Sequence, residues 1–188
     1  ARVVLTEALE VAEQWLLWEQ WVLRNHGHIR DHALVPALSE IDLGENTGLV
    51  LDETLSASGK YSGISLNGTA GAALTFGQLC YLQTSDSRWE LADANVAAAS
   101  AGDPRNMLGI CVLAAAGDAS ATKMLLFGKV RLTGWSLTIG APVYISETPG
   151  SITSTQPTAA DVVIRIIGYA TTAESIFFNP DSAWITHT

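Results

Sequence analysis

Three of the chain's four histidines stand together, in Asn25-His-Gly-His-Ile-Arg-Asp-His32. His26 and His28 form an HxH pair and His32 follows four residues later, a donor set for a transition metal if several copies met around a symmetry axis. The simpler reading is a polar loop that ends a helix, so neither a metal nor another cofactor is expected. Cys80 and Cys111 lie inside apolar runs and show neither CxxC nor Cys/His ligand spacing. They read as reduced core thiols, with a disulfide between neighbouring strands as the alternative. The nearest carboxylates, Asp86, Glu90 and Asp93, flank Arg88 and Trp89 and read as a solvated hairpin rim. Two carboxylates from distant strands could in principle form a glycosidase pair. No GxSxG elbow, HExxH, Walker loop or GxGxxG occurs. Beyond His32 the only histidine is His187, so a Ser-His-Asp arrangement would depend on the last residues of the sequence. An enzyme is not expected. Trp89, Trp135 and Trp184 could stack on sugar rings, but one tryptophan per strand pair is commoner in cores and interfaces.

The composition narrows the class of partner. Among 188 residues 48% are apolar and only 15% charged, against roughly 25% charged in an average soluble chain. Ala, Ser and Thr fill the difference, with 26, 15 and 17 residues. A net charge of −9 argues against nucleic acid, which is bound by clustered Lys and Arg. No long uncharged apolar run is present to span a membrane, and no signal-peptide pattern opens the sequence. The charge is uneven: residues 1–53 hold 10 of the 19 acids and 3 of the 10 bases. Two differently built segments are therefore expected, 1–44 and 45–188.

The first is a helical arm and linker. From Val3 to Arg24 apolar residues fall at positions 4, 8, 11, 15, 18 and 22, the heptad spacing of a helix seam. A second stripe containing Leu5 and Leu16 runs beside it, and three of the six tryptophans, Trp15, Trp18 and Trp21, lie in this stretch. A helix apolar around most of its circumference must be wrapped by its own domain, bundled with copies of itself, or held by a partner. Standing before a β-rich segment, it favours copies or a partner. Leu5, Val11, Trp15, Leu16, Trp18, Trp21 and Val22 are the expected partner-binding residues.

The second segment lacks a helical period. Strands are predicted at 47–51, 60–66, 72–75, 78–83, 88–91, 108–114, 122–131, 142–146, 162–169, 175–178 and 183–187. Asn67-Gly68, Gly102-Asp-Pro104 and Thr148-Pro-Gly150 read as turns. An internal echo runs through it. Leu74–Leu82 resembles Leu137–Ile145, Leu108-Gly-Ile110 resembles Ile167-Gly-Tyr169, and Met124–Phe127 resembles Ser175–Phe178. The expectation is a mainly β fold, an antiparallel barrel or sandwich, with duplicated units near 71–131 and 134–188 and an N-terminal α-helical arm.

These phrases carry a resemblance. Ile41-Asp-Leu-Gly-Glu-Asn-Thr-Gly-Leu-Val-Leu51, Gly59-Lys-Tyr-Ser-Gly63, Gln78–Leu82 with Arg88–Ala94, Leu108–Ala115, Gly140–Ser146 with Thr148-Pro-Gly150, and Ile167-Gly-Tyr169 with Phe177-Phe-Asn-Pro180 look like a module of tailed-bacteriophage structural proteins. The likeness covers about 41–188, and such modules occur on head-decoration, head-fibre and tail-fibre proteins. It implies a virion protein, assembled in the host cytoplasm. The first expectation is a trimeric capsid decoration (cement) protein, held by its arm to the major capsid protein or another virion protein and self-associating through its β-domain. The alternative is a fibre or receptor-binding knob contacting host surface glycans, for which a 23-residue helix of ~35 Å is a short stalk. An oligomeric carbohydrate-binding module is the non-viral reading.

Overall fold

The runs that alternate apolar and polar residues fold as strands. The computed structural model describes Glu45, residues 48–95 and residues 103–188. They contain β1 (Lys60–Thr69), β2 (Leu79–Leu82), β3 (Trp89–Leu91), β4 (Leu108–Leu113), β5 (Ala121–Arg131), β6 (Pro142–Ile145), β7 (Ile152–Thr153), β8 (Val163–Ile164), β9 (Ile166–Thr172), β10 (Ser175–Phe178) and β11 (Ile185–Thr186). The predicted helical arm, its partner-binding residues Leu5, Val11, Trp15, Leu16, Trp18, Trp21 and Val22, and the histidines His26, His28 and His32 lie outside the described residues.

The fold is mainly β. Nine strands form one antiparallel sheet curled into half a barrel, in the order β3-β2-β4-β5-β10-β9-β6-β7, with β1 on the other edge of β5. β8 and β11 make a separate two-stranded ladder. β5 is the spine. Its first half pairs with β4 and its second with β10, while β1 follows its whole length. Leu49–Thr188 holds together as one compact unit.

The strand order is the same read inward from either end: β3-β2-β4-β5 and β7-β6-β9-β10. The elements aligned by the sequence echo occupy corresponding places, and Cys80 opposes Gly109 as Val143 opposes Gly168. The faces do not correspond. Tyr81 packs into the main core with Leu79, whereas Val143 and Ile145 do so on β6 and Tyr144 does not. Side chains alternate with a period of two, so matched tyrosines here point to opposite faces. The exchange is tolerated because β2 is apolar and buried on both sides.

A crease crosses the sheet where its halves bend. Gly63 opposes Gly128, Gly128 opposes Phe178, Phe178 opposes Gly168, and Gly168 opposes Val143. Gly63 and Gly128 have φ of 155° and 137°, a region that L side chains rarely adopt. A Cβ on Gly63 would strike the Phe127 carbonyl oxygen, and one on Gly128 would strike that of Ser62. The β1–β5 register shifts by one residue just beyond, between Ile64 and Ser65, a bulge that sharpens the bend.

Two cores result. The main core fills the concave side with Leu79, Tyr81, Ile110, Leu125, Val130, Val143, Ile167, Ile176 and Phe178. A second cluster lies on the convex side of the first half only, where Ala70, Leu74 and Ala115 cover Cys80, Trp89, Cys111 and Met124. Reciprocal backbone bonds between Leu74 and Ala115 and between Ala70 and Ala119–Ser120 hold this cover down.

Several predicted elements change. Asn67-Gly68 is not a turn but continues β1 opposite Lys123 and Thr122. The glycine is needed because a Cβ there would lie 2.5 Å from Trp89 Nε1. Residues 48–51 form no strand, and 72–75 contributes only a bridge from Leu74 to Ala115. The strand predicted at 162–169 divides at Arg165 into β8 and β9, and β7 was unforeseen. Thr148-Pro-Gly150 does turn the chain from β6 to β7, and Pro142 starts β6, where no ladder donor is required.

Candidate interaction face

The convex side of the second half is covered among the described residues only by the segment 52–55, which lies over Lys129 and Arg131. Opposed residues on neighbouring strands share a face, so the register places Ile64 beside Phe127 and Phe177 beside Tyr169. Phe127 and Phe177 bridge the two pairs edge-to-face, with ring centroids 5.1 Å apart, a favoured aromatic geometry. Pro142 follows opposite Tyr169. Ile64 is 60% exposed, Phe127 38% and Tyr169 52%. The result is a largely apolar row across β1, β5, β10, β9 and β6, in which Phe177 is half-buried and Lys129 stands directly opposite it on β5. On the second-cluster side of the same β5 strand, Met124 is fully buried.

The chain enters the domain beside this row. The Asp52 amide donates to Ser62 Oγ at 3.1 Å, and Lys129 Nζ donates to the Glu53 carbonyl. Arg131 donates to the Leu55 carbonyl at 2.9 Å and pairs with Glu174 at 3.1 Å. These bonds fasten residues 52–55 to β1 and to the second half of β5. Leu49 and Val50, just before them, are exposed.

The residues singled out in the sequence separate into different surroundings. Trp89 is 1% exposed and cannot stack on a sugar: it is the centre of the second cluster, with Gly68 and Gly109 against its indole. Trp184 is exposed and stacks with Arg105 at 5.5 Å. Trp135 lines a cleft of about 340 Å³. Cys80 and Cys111 are free, buried, and packed in the second cluster on adjacent strands. Burial raises both thiol pKa values, which leaves them protonated and unreactive.

The acidic group is only partly a solvated rim. Asp86 is exposed, but Asp93 is buried and accepts from the Asn95 backbone and side chain at 2.9 Å. Burial raises the Glu90 pKa, Asp86 and Asp118 add to the shift, and Arg88 opposes it. Asp103 is shifted down by its side-chain hydrogen bond from Arg105. Arg165 is buried and donates to the carbonyls of Asp181, Pro104 and Asn106 at 2.7–2.8 Å. It ties the β8–β9 break to the 104–106 turn and to Asp181. Among the described residues no three His, Cys, Asp or Glu side chains converge as metal ligands, and no helix is long and apolar enough to cross a membrane.

The partner-binding residues expected from the sequence all lie in the arm; Ile64, Phe127, Tyr169 and Phe177 were not among them, although the β-domain was expected to self-associate and all four fall inside predicted strands. Alternation could assign them to one face. It could not show that this face, unlike the matching one in the first half, stays bare. Comparison with known protein families, curated proteins and solved structures finds no match.

Proposed function

We propose that the chain is a structural subunit of a tailed-bacteriophage virion, and within that class a capsid decoration protein. Residues 1–44 attach it to the head shell, with Trp15, Trp18 and Trp21 as anchors, and the β-domain associates with copies of itself, as a trimer. The observation that carries self-association is the partly exposed Ile64–Phe127–Phe177–Tyr169 row on a weakly charged domain. Contiguous exposed apolar surface of this kind marks contact sites, and aromatic side chains supply the strongest ones.

The phage assignment rests on the resemblance, whose phrases coincide with working parts of the sheet. Gly140–Ser146 with Thr148-Pro-Gly150 builds the β6–β7 hairpin, Gln78–Leu82 with Arg88–Ala94 contains the β2–β3 pair, and Ile167-Gly-Tyr169 with Phe177–Pro180 lies on the β9–β10 pair. The matching strand order of the two halves supports descent from a duplicated four-strand unit. A compact β-domain that exposes apolar surface until assembly suits a many-copy particle.

Copy number is the test. On purified particles carrying the chain, a gel band comparable to the major shell protein fits decoration, and a few copies per particle contradicts it in favour of a fibre. Full-length chain with Trp15, Trp18 and Trp21 changed to Ser should keep the β-domain's melting transition and lose shell binding. Full shell occupancy by that variant would overturn the role given to the arm.

A further inference from the structure

The Trp135 cleft lies where the two halves of the sheet meet. Its walls come from the turn before β2 (Thr75–Gln78), the segment after β5 (Leu132–Trp135) and the turn into β7 (Gly150–Ile152). The Leu79 amide donates to the Gly150 carbonyl at 2.9 Å, and the Gly150 amide donates to the Ala92 carbonyl at 2.8 Å, so the floor is fixed by backbone. Gly77 lets Leu132 and Trp135 pack close: a Cβ there would come within 2.5 Å of Leu132 Cδ2 and 3.3 Å of the indole. The cleft is thus preformed, and its volume falls near the lower end of small-molecule sites, about 300–1,000 Å³.

We infer that this cleft binds a neutral saccharide, with the Trp135 indole as platform and Thr75, Gln78, Thr133 and Ser151 supplying polar contacts. None of the eleven lining residues is charged, so a phosphate or carboxylate would enter without a counter-charge and lose its water. A purely apolar ligand would strand the hydroxyls and the amide. A pyranose ring meets both demands, because its C–H face is apolar and its rim carries hydroxyls. Gln78 Oε1 already accepts the Thr75 amide at 2.7 Å, which orients the side-chain NH2 as a donor. Exposed Thr75, Thr133 and Gly134 leave the cleft open at its lip, as a residue within a longer glycan chain would require.

This inference is separate from shell attachment and can fail alone. Full-length protein is applied to an array of neutral, sialylated and sulfated glycans, and neutral hits are titrated while the tryptophan indole signals are followed by NMR. Binding of neutral glycans, with the Trp135 signal shifting and affinity falling roughly tenfold or more in Trp135→Ala, is the expected result. Trp184→Ala should bind as the parent does. Since Trp135 borders the main core, Thr133→Leu provides a second variant: its exposed side chain blocks the lip without touching the core, and it too should lose binding. Absence of any neutral-glycan binding, preference for charged glycans, or full binding by Thr133→Leu would overturn the assignment.

Discussion

The two halves of the sheet share a strand order and differ in what covers them. β3-β2-β4 and the first half of β5 are buried on both faces, by the main core on one side and by the Ala70–Leu74 and Ala115 cover on the other. β10, β9 and β6 are fully buried on the concave face alone, and their convex face carries Tyr169 exposed and Phe177 and Pro142 half-buried. The same architecture therefore serves two purposes: one half closes on itself and supports the fold, while the other leaves apolar surface for association. The contrast is sharpest on β5, where Met124 is fully buried and Phe127, three residues on, is exposed.

Removing the centre of the closed half should have the largest effect. Trp89→Ala leaves a cavity beneath the Ala70–Leu74 cover and should cost about 3–5 kcal/mol, read as a lower midpoint in urea unfolding. A cost within ~0.5 kcal/mol, as for an ordinary surface site, would erase the distinction between the halves. The crease that joins them comes next. Gly128→Ala drives a methyl into the Ser62 carbonyl at a φ of 137° and should destabilise by roughly 2–3 kcal/mol. Unchanged stability would mean that the bend does not depend on glycine.

Changes on the bare face should show the opposite pattern. Replacing Phe127 and Tyr169 with Ser should cost no more than about 1–2 kcal/mol per site, Phe127 losing its edge-to-face contact with Phe177, while abolishing self-association in sedimentation. Loss of folding would place these residues in the core's account instead. Thiol labelling sharpens the comparison at smaller scale: Cys80 and Cys111, both in the closed half, should stay unmodified at neutral pH until unfolding.

The smallest effect concerns charge. The raised Glu90 pKa means that its ionised form is disfavoured by folding. That penalty builds as pH rises above the unfolded carboxyl range, near 4.5, and is complete above the folded value. Glu90→Gln should therefore raise the melting temperature slightly at neutral pH and leave it unchanged in acid. A decrease at neutral pH would reverse the sign of the assignment.

Strand positions were largely legible in the sequence because β-branched and aromatic runs between Gly, Pro and Asp clusters encode them locally. Strand partners were partly legible through the echo, which aligned β2, β4 and β5 with β6, β9 and β10. What escaped was set by distant contacts. Asn67-Gly68 reads locally as a turn, but its glycine answers to Trp89, which arrives from another strand. Arg165 reads as an ordinary strand residue, yet three carbonyls from two distant segments, Pro104 and Asn106 in one and Asp181 in the other, gather around it where the strand divides. The apolar row was invisible for a similar reason: alternation fixes which residues share a face, not whether another segment covers it.

Solvent accessibility before and after assembly tests the division of labour most directly. Hydroxyl-radical footprinting of the full-length chain, free and particle-bound, should label Phe127, Tyr169 and Phe177 in the free chain and protect them on the particle. Trp89 should remain unlabelled in both. Labelling of Tyr169 that is undiminished on the particle, or labelling of Trp89 in the free chain, would contradict the account.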